Sequence, residues 1–116
     1  MAEPVARVIR RHDTAQQPQV RLLDELRVPL VLTGATVTYT LTNLETGVVK
    51  INRGVATLRN QTTNPGEVYY QLASGDVDTV GVYAEQWEVI HSGGAKETFP
   101  VGEMQLLRIE TDADNT

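Results

Sequence analysis

Thr36-Val37-Thr38-Tyr39-Thr40-Leu41-Thr42 alternates a hydroxyl residue with an apolar one. Side chains on an extended chain point to opposite faces with a period of two, so Val37, Tyr39 and Leu41 share one face and the threonines the other. β-branched and aromatic residues suit such a pleated, half-buried surface. The stretch therefore predicts a β-strand with one face on a core.

Working outward, Asn43 to Gly47 reads as a hairpin turn, with Gly47 suited to a positive φ, and Val48 to Asn52 as the return strand. Arg53-Gly54 is a break, Val55 to Leu58 a short strand, and Asn60 to Gly66 a polar loop closed by the turn signal Asn64-Pro65-Gly66. Val68 to Leu72 follows as a strand, and Ala73 to Gly81 as a turn or a single helical turn. In Val82 to Ile90, Tyr83, Trp87 and Val89 share the inward parity. Glu85 shares it too, which requires a rim position or a hydrogen-bond donor. Ser92-Gly93-Gly94 turns the chain into strands at Lys96 to Phe99 and Met104 to Ile109. Upstream lie a strand at Gln19 to Leu23, a loop from Asp24 to Pro29, and an extended Ala6 to Arg10 followed by a polar linker, His12 to Pro18.

Turn signals spaced in this way, with no long 3.6-residue periodicity, predict an all-β sandwich of about eight short strands over residues 19–109. Residues 1–18 are expected to form an N-terminal arm and linker, and residues 110–116 a polar, acidic C-terminal tail. Connections between successive strands are too short for parallel crossovers, so antiparallel pairing is expected throughout.

A chain of 116 residues with 41% hydrophobic content holds one modest core. It has no cysteine, hence neither a disulfide nor thiolate chemistry. A net charge of −5 argues against nucleic-acid binding, and no apolar run is long enough for a membrane helix or a secretion signal. The charge is uneven. Residues 1–64 carry eight Lys/Arg against five Asp/Glu, and residues 65–116 carry two against ten. Either a sandwich interleaves the halves and mixes these charges, or the subunit is polar and stacks basic end to acidic end.

Sites for chemistry are sparse. His12 and His91 lack the spacing of a metal-ligand pair. Ser74 and Ser92 lie in no Gly-x-Ser-x-Gly elbow. Asp76 and Asp78 fit turn capping better than an incomplete calcium loop. Trp87 is either a core residue or a platform on which a sugar ring stacks, and its parity with Tyr83 and Val89 favours the core.

Four segments in order, Leu32-Thr33-Gly34-Ala35-Thr36-Val37-Thr38-Tyr39, Pro65-Gly66-Glu67-Val68-Tyr69-Tyr70, Gly81-Val82-Tyr83-Ala84-Glu85-Gln86-Trp87-Glu88-Val89 and Glu97-Thr98-Phe99-Pro100, resemble the N-terminal domain family of phage baseplate upper proteins. The resemblance spans residues 32–100 and implies an immunoglobulin-like antiparallel β-sandwich in a tailed-phage virion, made in the host bacterial cytoplasm. Members of that family usually carry further domains, whereas this chain stops at Thr116, so its place could be baseplate, tail, neck or capsid. The implied role is structural and non-enzymatic, without cofactor or metal. Other virion proteins and further copies of the chain in a ring or other symmetric homo-oligomer are the implied partners, with no nucleic acid or membrane among them. Arg7, Arg10 and Arg11 in the arm and Glu110, Asp112 and Asp114 in the tail are the expected assembly contacts. An arm that only clamps a neighbour would be dispensable for folding, so deletion of residues 1–12 should leave the isolated sandwich intact. A carbohydrate- or receptor-binding surface module is the rival reading, and it requires Trp87 or several of Tyr39, Tyr69, Tyr70 and Tyr83 to be exposed together.

Overall fold

Val37, Tyr39 and Leu41 lie on the buried face of an interior strand of the larger of two sheets. The computed structural model describes residues 6–15, 17–99 and 105–110. They form β1 (Ala6–Arg10), β2 (Gln19–Arg21), β3 (Thr36–Asn43), β4 (Val49–Val55), β5 (Thr57–Leu58), β6 (Glu67–Tyr69), β7 (Gly81–Ile90), β8 (Lys96–Phe99) and β9 (Gln105–Glu110), with a single 3-10 turn at Ser74–Val77.

The larger sheet runs β1-β9-β7-β3-β4, and the smaller runs β2-β6-β5. β7 is long enough to hold two partners on one edge: Gly81 to Glu85 pair with β9, and Trp87 to Ile90 pair with β8. Its other edge pairs with β3, placing Tyr39 opposite Trp87 and Leu41 opposite Glu85. The all-β sandwich expected from the sequence is the observed architecture. Its core closes between the sheets, with Val37, Tyr39, Trp87 and Leu107 from the larger and Leu22 and Val68 from the smaller side. Burial of each such side chain is worth about 1.5–3 kcal/mol.

The expectation of purely antiparallel pairing is corrected at one place. β1 runs parallel to β9, with Ala6 opposite Leu106 and Arg10 opposite Glu110. Parallel neighbours need a long connection. Here almost the whole domain is that connection, and short links between successive strands do not bear on it. The consequence reaches the expected arm. Ile9 is 1% exposed in the common core, so β1 is a strand of the sandwich and not a detachable clamp. The arm ends in contacts to the same molecule, because Arg11 N–H donates to the Glu110 carbonyl at 2.7 Å and His12 N–H to the Val77 carbonyl at 2.8 Å.

Arg53-Gly54, expected to break the chain, lies inside β4 as an irregularity. The register against β3 slips between Tyr39 and Leu41, Arg53 takes φ +55°, and its N–H donates to Thr40 Oγ1 at 3.2 Å. Such bulges absorb an extra residue without ending a strand. Gly54 is required there, since a Cβ would lie 2.5 Å from Tyr70 Cε1. The Tyr70 ring crosses that bare backbone and stacks on Tyr39 with centroids 5.1 Å apart.

Glu85 is 2% exposed. It meets its requirement with a donor: Tyr39 Oη–H donates to Glu85 Oε2 at 2.5 Å. Tyr39 also packs against Trp87, with centroids 4.6 Å apart and ring planes tilted by 51°. A buried carboxylate held by a core tyrosine links the polar and aromatic halves of one cluster.

Candidate assembly surface

Leu26 is 84% exposed, yet the loop that carries it is tightly built. Leu23 and Pro29 form an isolated antiparallel bridge across its base. Asp24 Oδ1 accepts from the N–H groups of Leu26 and Val28 at 2.8 and 3.0 Å. Asp24 N–H donates to the Val28 carbonyl and Arg27 N–H to the Asp24 carbonyl, with Arg27 at φ +63°. This is an aspartate-organised turn, the role for which a short carboxylate side chain is suited. The base rests on Gly66, at φ +80°, where a Cβ would come within 2.7 Å of the Leu22 carbonyl oxygen. The result is a fixed projection that shows Leu26 and Val28 to solvent, with Val31 exposed just beyond it.

Beside this projection lies an open cleft of about 430 Å³ between β2 and β8. Val20, Leu23 and Phe99 supply its apolar lining, and Asp24, Glu25 and Glu97 its acidic groups. Arg21 also borders it, but its Nη2 is engaged by Glu67 Oε1 at 2.9 Å. Glu97 Oε1 lies 2.8 Å from His91 Nε2 and accepts from it in the tautomer that carries the proton there.

Of the residues expected to make assembly contacts, Arg10, Arg11 and Glu110 lie among the described side chains. Arg10 and Glu110 are register neighbours on β1 and β9, and Arg11 is bonded through its backbone to the same Glu110. Arg10 and Arg11 of the expected arm thus lie beside Glu110, the first residue of the expected tail, within one molecule at the β1 end of the sheet. Arg7 is placed by its backbone in β1, and its side chain, like Asp112 and Asp114, lies outside the described residues. Sequence reading missed the Leu26 projection. Its signal was present: Leu26 and Val28 are apolar residues in a stretch bracketed by Asp24 and Pro29, where a solvated loop would be polar, and Val31 follows just beyond.

Charge is interleaved, not segregated by sequence half. Arg21 pairs with Glu67, Lys50 Nζ with Asp78 Oδ1 at 2.6 Å, and Arg53 with Glu88 at 3.8 Å, each pair joining a first-half cation to a second-half anion. The bond from Lys50, then that from the Thr79 hydroxyl, holds the Asp78 carboxyl below its ordinary value. Asp76 Oδ2 accepts from Ala73 N–H at 2.9 Å, a turn-capping bond. No group of three or more His, Cys, Asp or Glu converges among the described residues. Trp87, Tyr39 and Tyr83 are all buried, and Tyr69 lies under the Arg59 guanidinium at 4.3 Å, so the exposed aromatic platform required for sugar stacking is missing among the described residues.

Burial, and secondarily the nearby Asp76 charge, raises the Tyr70 phenol above its ordinary value. A proton held more tightly when folded stabilises the fold fully below about pH 10 and ceases to do so as pH rises through the higher folded value. Urea midpoints measured from neutral to strongly alkaline pH should therefore fall above about pH 10, and Tyr70→Phe should shrink that fall relative to wild type.

Searches of protein-family models, of curated proteins and of solved structures find no match to this chain.

Proposed function

We propose that this chain is a non-enzymatic structural subunit that works through contacts with neighbouring proteins in a symmetric assembly, and that the assembly is a tailed-phage virion. The single observation that carries the subunit reading is the hydrogen-bonded loop holding Leu26 at 84% exposure beside an apolar cleft. A side chain exposed on a fixed backbone has already lost much of the freedom that binding would otherwise remove, so it is suited to a protein contact. Among the described residues β1 and β4 are the outermost strands of the larger sheet, and such edges are surfaces on which a neighbour's strand can pair. The virion assignment, and the immunoglobulin-like variety of sandwich, are supported by the turn motifs at residues 32–100, which fall on or beside β3, β6, β7 and β8, with Trp87 buried against the opposing sheet.

The test is direct. In tailed particles purified from the source that encodes the chain, its peptides are expected at a fixed stoichiometry, with sandwich-shaped density at symmetry-related positions. Purified particles lacking the chain would overturn the virion reading.

A further inference from the structure

The Leu26 projection and the cleft next to it are complementary in kind. The projection presents Leu26, Arg27 and Val28, which is apolar, basic and apolar in order. The cleft offers an apolar lining of Val20, Leu23 and Phe99 with the carboxylates of Asp24, Glu25 and Glu97 around it. Among the described lining residues the only cation, Arg21, is paired with Glu67, and Glu97 faces His91, which leaves Glu25 as a carboxylate turned to a partner. Within a single molecule the two features cannot meet, because the projection points into solvent and its own first residues, Leu23 to Glu25, form part of the cleft wall. A surface that carries a projection and a matching recess side by side is self-complementary under a two-fold rotation.

We propose that a second copy of this chain docks here, each copy inserting Leu26 and Val28 into the other's cleft and setting Arg27 against the other's Glu25. This rests on the subunit reading and names the partner as the chain itself. The contact is small, built from one loop and one cleft on each side, so association is expected at the weak end of specific interfaces, to be strengthened when many copies are held in one assembly.

Sedimentation velocity of the full chain over rising concentration tests it. Wild type should show a reversible monomer–dimer equilibrium that weakens with salt. Leu26→Asp and, separately, Arg27→Glu should each weaken dimerisation about tenfold or more. Because Leu26 is 84% exposed, its substitution should leave the far-UV circular dichroism and the urea midpoint unchanged. Adding Glu25→Arg to Arg27→Glu should restore dimerisation, since the two-fold axis reunites the exchanged charges twice. A wild type that stays monomeric into the millimolar range, a dimer indifferent to Leu26→Asp, or a charge exchange that restores nothing would overturn the proposal. Particle content is read separately: a chain present in virions yet monomeric in solution defeats this contact alone, and one that dimerises but is absent from virions defeats the virion reading alone.

Discussion

Trp87→Ala is expected to destabilise the fold by about 3–5 kcal/mol, the range for deleting a buried large aromatic. Small domains have total stabilities of about 5–15 kcal/mol, so the variant should be unfolded or nearly so well below the wild-type denaturant midpoint. Trp87 has no exposed surface and sits on the strand shared by β3, β8 and β9, opposite Tyr39 on one side and Phe99 on the other. Its loss removes the wall against which Tyr39 packs, and Tyr39 is the donor to buried Glu85. Trp87→Phe is the informative control. It keeps an aromatic ring against Tyr39 and removes an indole N–H that has no hydrogen-bond partner among the described residues, so its cost should be smaller, about 1–2 kcal/mol. Urea unfolding followed by far-UV circular dichroism checks both. A Trp87→Ala protein within about 1 kcal/mol of wild type would show that this side chain does not anchor the core. Wild-type Trp87 emission should correspondingly be blue-shifted and resistant to quenchers.

Removal of residues 1–11 should have the second large effect. It deletes β1, takes Ile9 out of the core, and exposes the edge of β9 along five residue pairs. Loss of a buried isoleucine side chain alone costs about 2–5 kcal/mol, and each lost backbone hydrogen bond about 1 kcal/mol more. The truncated chain should lose most of its cooperative unfolding transition, and the amides of β9 should exchange with solvent much faster than in the full chain. Ile9→Ala in the intact chain isolates the packing part and should cost about 2–5 kcal/mol. A truncated protein with an unchanged melting temperature would mean that β1 is an accessory, as an arm would be.

These two outcomes separate what was legible along the chain from what was not. The inward set Val37, Tyr39, Leu41, Tyr83, Trp87 and Val89 is visible in sequence because a strand's faces alternate, and each of these residues is buried. Turns at Gly34, Gly47 and Gly66 are visible because positive φ favours glycine, and all three adopt it. The awkward Glu85 is visible as a demand for a donor, but Tyr39 as that donor is not, because it lies on a neighbouring strand whose register no local signal reports.

Alternation, turn chemistry and composition are local properties, and they suffice for an all-β chain, its inward faces and most of its strand limits. Which strands become neighbours is a matter of closing the core, and only that closure put β1 in parallel beside β9, turned an expected arm into a structural strand, and set Arg10 next to Glu110. The same closure decided the surface. Leu26 and Val28 stand out as apolar loop residues in sequence, but only the bonds of Asp24 and the seat on Gly66 hold them outward beside a cleft lined from both sheets. Contacts between distant segments depend on how whole faces pack, and that information resides in the assembled volume, not in any short stretch of chain.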